Sequence, residues 1–288
     1  MKKQKNLTAT FAGIFLLLSI LANIASAVFN MFVSISSLIS NAGIYRDFIE
    51  YGDIESIIMI VASNIGGVIG CAISVALSCL NIFLCVLIFK RVKNILLSVG
   101  TAVYGITPTM GLVSAVIGVF TVILSIISIF SGANVLGTIF STVSQILVTV
   151  IYGFLLFLSF VILFVFAFLL SDQKIIKADM SRIKAIVGKF FWLPAVIFVC
   201  AYLCLLTGMW INDIGVLIAY NISLYNFLTI IIPTIVSTVL GGLGAIFTTL
   251  FMFNFLNWLR KDSIASAKET DSDLEDNGEE IPIYSSEE

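Results

Sequence analysis

The densest group of side chains that could do chemistry holds four carboxylates, at Asp47, Glu50, Asp53 and Glu55. Carboxylate oxygens suit Ca²⁺ or Mg²⁺, but this spacing matches no EF-hand loop. Asp53 and Glu55 precede a long apolar run, so we interpret them as favourable charges at the N-terminal end of a helix dipole. The sequence therefore predicts no metal site, and nothing in it indicates a cofactor.

Residue types needed for intramembrane catalysis are missing from the chain. There is no His, and no Asp, Glu, Lys or Arg stands in the middle of an apolar run. A Ser–His pair, an acid dyad or a His-containing zinc site cannot be assembled without them. Proton relays and voltage sensors also need embedded charges. We therefore expect no catalytic residue, no enzymatic activity and no nucleic-acid partner.

Uncharged polar and small residues carry the remaining signal. The apolar run near residues 109–131 places six small residues at alternating steps of three and four, namely Gly111, Ser114, Gly118, Thr121, Ser125 and Ser128. Such stripes let helices approach closely in lipid. The alternative is a polar path, because Asn side chains and the Gln145 side chain are costly in hydrocarbon. The residues that form either a polar path or a packing stripe are Asn64, Gly66, Gly67, Gly70, Ser74, Ser78, Asn81, Gly111, Gly118, Gly241 and Gly242. We favour packing and single out Asn64 and Asn81 as candidate solute contacts.

The elements that must position these residues are membrane-spanning helices. The chain is 60% hydrophobic and 11% charged, which leaves too little polar surface for a soluble domain. A span needs about 20 apolar residues. This length predicts an all-α polytopic bundle of six transmembrane helices over residues 1–261, near 9–33, 57–89, 109–131, 137–170, 190–210 and 228–257. A short surface piece over residues 95–107 precedes the third span.

The basic residues predict the orientation. Of the 15 Lys and Arg residues, only Arg46 falls in a loop on the other side from the rest. Cytoplasmic loops retain positive charge, so both termini are expected inside, facing an anionic inner leaflet. Trp192, Trp210 and Trp258 are expected to anchor span ends at the membrane surface. The five cysteines lie in apolar runs and are expected to be small buried hydrophobes.

The N-terminal segment permits a second interpretation. Lys2, Lys3 and Lys5 precede an apolar core and the small triplet Ala25, Ser26, Ala27, an arrangement also found in secretory signals. Cleavage there would leave five spans. Because apolar residues continue through Val33, we favour a retained first span.

Two segments predict cytoplasmic features. Residues 171–189 form an amphipathic pattern that indicates a helix lying on the inner leaflet. Its basic, lipid-surface residues are Lys174, Lys177, Lys184 and Lys189. Residues 262–288 are acidic and low in apolar content, which is typical of a disordered tail.

Two functions fit this sequence. The first is a permease-like subunit for a neutral or apolar solute or lipid, in a cell membrane of bacterial plasma-membrane type. The second is a membrane scaffold or assembly factor that recruits a soluble cytoplasmic protein through the surface helix and the acidic tail. The small-residue stripes also fit a homo-oligomer.

Overall fold

The chain folds as helices connected by turns. In a computed structural model it is described over residues 2–40, 54–92, 95–130, 135–171, 186–220 and 224–276, and no strand occurs in these ranges. Six helical stretches are long and apolar enough to cross a membrane, which confirms the predicted number. Numbered one to six, these spans are Leu7–Ile39, Asn64–Phe89, Ile95–Ile127, Val135–Leu170, Leu193–Ile218 and Ile231–Lys261.

The helices extend beyond the apolar spans. Their bounds are α1 Lys2–Ser40, α2 Ile54–Phe89, α3 Ile95–Tyr104, α4 Ile106–Phe130, α5 Val135–Gln145, α6 Tyr152–Leu170, α7 Leu193–Tyr220 and α8 Leu224–Asp276. Between α5 and α6 the chain forms a π-helical segment, Ile146–Ile151, called the π segment below. Span three comprises α3 and most of α4, and span four comprises α5, the π segment and α6.

Span three begins earlier than the sequence predicts, and it bends. One face of α3 is buried inside the bundle rather than lying on the membrane surface, with Leu97 and Thr101 almost fully covered. The bend follows Tyr104 because Pro108 has no N–H to donate to the carbonyl oxygen four residues before it. At Gly105 a Cβ would overlap the ring of Phe160 in span four, so only glycine fits this crossing.

The spans are arranged in the spatial order two, one, six, five, four, three. Span one packs along both span two and span six, whereas span three packs mainly on span four. Neighbouring spans run antiparallel. Gly13 and Ser34 of span one meet Phe89 and Gly67 of span two, so residue numbers rise along one helix as they fall along the other.

The buried core lies at the end of the bundle that holds Ala9, Ile88, Ala167 and Leu259, called the terminal end below. Trp258 belongs to this core and is only 2% exposed, with its ring centroid 6.2 Å from that of Phe255. The prediction that Trp258 anchors a span end at the lipid surface is therefore wrong. It fails because the spans converge at the terminal end and enclose the side chain.

The opposite end, called the distal end, is more open. In span two, Ile65, Ile69 and Ile73 are exposed, and so is most of the outer face of span three.

Only Cys85 is buried among the five cysteines, and its thiol donates to the carbonyl oxygen of Gly13 at 3.4 Å. Cys79 and Cys200 are exposed, so the expectation of five buried thiols is wrong. In lipid, a helix can turn such small apolar groups outward.

Spans one and six are joined by polar side chains. Ser19 and Thr248 share a hydrogen bond of 2.6 Å, and Ser237 donates to the amide oxygen of Asn30 at 2.9 Å. Asn23 faces Gly244, where a Cβ would lie 2.7 Å from the amide oxygen. Because hydrocarbon offers these groups no partner, they favour helix association.

The last helix continues past the end of span six. α8 runs beyond Lys261 to Asp276, into the segment for which the sequence predicts disorder. Those 15 residues correspond to about 23 Å of helix at 1.5 Å per residue. Residues 277–288 lie outside the described residues, as do residues 172–185 of the predicted surface helix.

Candidate functional site

A cavity of about 300 Å³ lies between spans three and four. Its walls are Ser114, Ile117, Gly118 and Thr121 from α4, with Gln145 and Thr149 from span four. Five of these six residues are polar or glycine, and none carries a charge. We call this space the span three–four cavity. It is an uncharged polar space between two otherwise apolar helices.

Two contacts define the ends of this cavity. Toward the terminal end, Gly111 meets Gly153, and a Cβ on Gly153 would overlap the carbonyl oxygen of Gly111. Toward the distal end, Ser125 donates to the amide oxygen of Gln145 at 3.2 Å. The helices therefore touch at the glycine crossing and are bridged by a polar contact farther along. Between these points the small side chains of the span-three stripe leave room.

The π segment forms the wall contributed by span four. A π turn is wider than an α turn and is frequent at functional sites. Thr149 lies within it, and a Cβ on Gly118 would come 2.5 Å from the Thr149 methyl group. On the opposite side, a Cβ on Gly208 of span five would come 2.5 Å from a Val148 methyl group. Glycines on both neighbouring helices thus accommodate the wider turn.

Three lining groups have unused hydrogen-bonding capacity, namely the Gln145 amide nitrogen and the Ser114 and Thr149 hydroxyls, whereas a fourth group is paired. The Thr121 hydroxyl donates to the Ile117 carbonyl oxygen of its own helix at 3.2 Å. Across the described ranges, no group accepts a hydrogen bond from the Gln145 amide nitrogen, and none pairs with the Ser114 or Thr149 hydroxyl. Polar groups in hydrocarbon are costly without a partner. The cavity therefore suits water or a polar ligand.

All six lining residues of the cavity belong to helical stretches that are long and apolar enough to cross a membrane. Trp192 and Trp210 are separated by about 27 Å of helix, close to one hydrocarbon thickness of about 30 Å. Gly208, which packs on the π segment, lies seven residues past the midpoint Ala201, or about 10 Å. Taking the two Trp residues as the membrane surfaces, the π segment lies within the distal half of the hydrocarbon.

The cavity opens sideways, on the exposed face of span three. Ser114 and Thr121 are exposed, and Ile117 between them is 61% exposed. They are exposed because α4, unlike α3, has almost no neighbour besides span four in the described part of the chain. In a bilayer, an exposed side chain on this part of span three would face acyl chains. A ligand could therefore reach the cavity from within the bilayer.

The glycines of the predicted span-two stripe point in different directions. Gly66 and Gly70 face open space, and the exposed Ser74 donates to the Gly70 carbonyl oxygen within its own helix at 2.9 Å. Gly67 instead meets span one, where a Cβ would lie 2.9 Å from the Ser34 hydroxyl. Asn64 is half-buried and has an interaction partner. Part of the stripe therefore contacts span one, and the rest lies on a face of span two that no described residue covers.

Ser78 and Asn81 lie deeper in span two. Both are buried, at 8% and 9% exposure. Asn81 lies one turn before Cys85 on the same face of span two. The Cys85 thiol on this face donates to a carbonyl oxygen of span one. The amide oxygen of Asn81 has no hydrogen-bond partner among the described residues. Neither residue lines the span three–four cavity.

Gly241 and Gly242 of span six face span five. A Cβ on Gly241 would lie 2.9 Å from the Tyr202 hydroxyl oxygen, and one on Gly242 would lie 3.7 Å from it. The Tyr202 hydroxyl donates to the Thr238 carbonyl oxygen at 3.4 Å. These glycines therefore make space for a tyrosine at a helix contact.

The predicted basic surface residues fall mostly outside the described residues, namely Lys174, Lys177 and Lys184. Lys189 is described and exposed. Next to it, the Arg260 guanidinium donates to the Gly188 carbonyl oxygen at 3.3 Å and lies 4.3 Å from the Phe191 ring centroid. This contact fastens the start of span five to the end of span six.

Reasoning from sequence identified most of the cavity lining without assembling it. Ser114, Gly118 and Thr121 belong to the predicted stripe of span three, and Gln145 is recognisably costly in lipid. Thr149, Gly153 and the π segment were missed. A glycine in a run otherwise made of large apolar residues was the available signal for Gly153. No local pattern marks the π segment.

Comparisons with protein families, with curated proteins and with solved structures found no match.

Proposed function

We propose that this multi-pass membrane protein is a non-enzymatic, permease-like subunit that passes a neutral or apolar solute or lipid. The span three–four cavity carries the proposal, because it is an uncharged polar space between two helices that are apolar enough to cross a membrane. A membrane protein gains no stability from unpaired polar groups in lipid, so their retention favours a ligand role. A volume of about 300 Å³ is at the lower end of small-molecule sites.

The chemistry of the lining supports a neutral cargo. Hydroxyl and amide groups offer hydrogen bonds without a full charge. An anion would find no Lys or Arg in this cavity, and a cation would find no carboxylate. Burying an unpaired ion is far more costly than burying a hydroxyl or a carbonyl group. Charged cargoes are thus disfavoured relative to neutral ones.

The packing of span three supports movement around the cavity. The α4 part of span three rests almost entirely on span four, whereas α3 is held against span two and spans one and six pack on each other. A helix with few contacts is separated at low cost. The π segment adds a second adjustable element, because return to α geometry would rotate Thr149 relative to the glycine crossing. Opening between these two helices is the proposed route of passage.

The proposed orientation has both termini in the cytoplasm of a plasma membrane. Lys90, Arg91 and Lys189 are exposed at the terminal end, and Arg260 and Lys261 are half-buried there. Positive residues concentrate on the cytoplasmic side, where anionic lipid attracts each by about 1 kcal/mol. The distal end, with the span three–four cavity, then faces the outer leaflet.

A transport assay in liposomes tests the proposal. Reconstituted protein is compared with Thr149→Val and Gln145→Leu variants for passage of glycerol and for transfer of a fluorescent acylglycerol between leaflets. Matched controls are Thr249→Val and Asn254→Leu, whose side chains bond only their own helix. We expect both cavity variants to slow at least one probe about tenfold while the controls do not. Equal rates in all five proteins would refute a role for this cavity.

The scaffold function is supported by one separate observation. α8 projects past Lys261 as helix to Asp276, which would place an acidic stretch away from the membrane surface. A soluble partner could dock on it or on the predicted 171–189 surface helix. Under this alternative, removing residues 262–288 abolishes function while expression persists. A fully active truncated protein would refute it.

A further inference from the structure

We infer that the span three–four cavity binds the polar head of a neutral lipid made of ester carbonyl and hydroxyl groups, entering sideways from the leaflet at the distal end. This inference rests on the proposed use of the cavity as a ligand site. It adds the chemical class of the ligand and the direction of entry.

The unused groups define the ligand by complementarity. The Gln145 amide nitrogen is a pure donor, so the ligand must offer an acceptor oxygen. The Ser114 and Thr149 hydroxyls can donate or accept, and so fit either a carbonyl or a hydroxyl. Ester carbonyls beside a free hydroxyl supply this combination without charge.

The position of the cavity selects a lipid over a dissolved solute. The lining residues Ser114, Ile117 and Thr121 are exposed on the lipid-facing side of span three. Phe120 and Leu124 on the same helix are 65% and 66% exposed. Acyl chains of a bound lipid would continue along this apolar surface while the head occupies the polar space. A solute without chains would gain nothing from that surface.

The depth of the cavity excludes strongly hydrated heads. With Trp192 and Trp210 taken as the two membrane surfaces, the π segment would lie about 10 Å from the bilayer midplane, below the headgroup layer of a bilayer whose hydrocarbon is about 30 Å thick. A phosphate drawn to this depth would lose its water and meet no basic residue. A diester of glycerol with one free hydroxyl would lose far less hydration free energy than a phosphate at this depth.

Binding to the full-length protein in nanodiscs tests the inference. Radiolabelled dioleoylglycerol is the probe, and unlabelled dioleoylglycerol, dioleoylphosphatidylglycerol and free glycerol are competitors. The variants are Thr149→Val and Gln145→Leu, with Thr249→Val and Asn254→Leu as matched controls. We expect saturable binding displaced by the unlabelled acylglycerol alone. Each cavity variant should weaken it about five- to tenfold, the effect of one lost hydrogen bond, and the controls should not.

The other outcomes separate failure of this inference from failure of the proposed function. Displacement by free glycerol at similar concentration would assign the cavity to a dissolved solute. Displacement by the phospholipid, or equal binding to cavity and control variants, would mean that the binding signal comes from ordinary lipid contact. If glycerol passes through reconstituted protein in a Thr149-dependent manner but dioleoylglycerol does not bind, the proposed function stands and this inference fails. If dioleoylglycerol binds and nothing crosses, transport fails and the ligand assignment stands.

A steric variant gives an independent readout. Ser114→Phe places a ring at the exposed mouth of the cavity, where span three has room for it. We expect dioleoylglycerol binding to be lost while the thermal unfolding temperature stays near that of the parent protein. Retained binding in this folded variant would contradict sideways entry past Ser114.

Discussion

Gly111 and Gly153 lie against each other where spans three and four cross, so closely that a Cβ on Gly153 would overlap the Gly111 carbonyl oxygen. This contact fixes one end of the span three–four cavity. A backbone atom cannot move aside as a flexible side chain can, so any larger residue must push the helices apart. The cavity exists because the helices are joined here and are separated by small polar residues farther on.

Gly153→Ala should therefore destabilise the protein by about 1–3 kcal/mol, as overpacking does in tight cores. Gly66→Ala is the matched control, because nothing lies within 4 Å of its added Cβ. Alanine favours helix, so the control should be neutral or more stable by about 0.5–1 kcal/mol. Thermal unfolding in detergent measures both. Equal effects at the two positions would mean that spans three and four do not cross this closely.

The hydrogen bond from Ser237 to Asn30 should couple spans one and six. Alanine substitutions at both positions, alone and together, give a double-mutant cycle. We expect a coupling of about 0.6 kcal/mol, and no more than about 1.7 kcal/mol, as for other interhelical bonds in membranes. Unfolding in mixed micelles provides the free energies. Asn30→Ala combined with Thr249→Val should be additive, because Thr249 bonds its own helix. Coupling absent from the first cycle would place Asn30 elsewhere.

Asn81→Leu should raise the stability of the protein. Asn81 is buried, and its amide oxygen has no partner among the described residues. Replacing an unpaired polar group by an apolar one of similar size removes a penalty of about 1–3 kcal/mol. The unfolding temperature of the purified variant measures this change. A less stable variant would mean that Asn81 is paired by water or by a bound ligand.

Orientation can be tested with reporter fusions. Alkaline phosphatase joined after Tyr220 should be active, and the same enzyme joined after Lys261 should be inactive, because span six separates the two positions and Lys261 lies at its predicted cytoplasmic end. A fluorescent protein should give the reverse result, since it folds in the cytoplasm. Phosphatase activity at Lys261 would invert the topology and place the cavity in the inner leaflet.

The number of spans and the small-residue stripe of span three could be predicted because both depend on local composition and spacing. Which face of a stripe meets a neighbour could not. Gly66 and Gly67 are adjacent in the chain, yet Gly67 packs on Ser34 and Gly66 faces open space. That difference is set by the tilt and rotation of whole helices, which apolar length alone does not determine.

The burial of Trp258 was mispredicted for the same reason. A Trp beside Arg260 and Lys261 reads as an interfacial anchor, but convergence of the spans encloses it. The π segment could not be predicted from the sequence either. Its residues, Ile146–Ile151, are as apolar as the turns around them. The wider turn is accommodated by glycines on other helices, and pairing with Gly118 and Gly208 is visible only after folding.

A cryo-electron microscopy map of the full chain in nanodiscs made from native membrane lipid tests the central claim most directly. The account predicts non-protein density between spans three and four, within hydrogen-bonding distance of the Gln145 amide and the Thr149 hydroxyl. It also predicts that the Gly111–Gly153 contact persists beside that density. A closed and empty space, with Gln145 and Thr149 paired to other protein groups, would contradict a ligand site there.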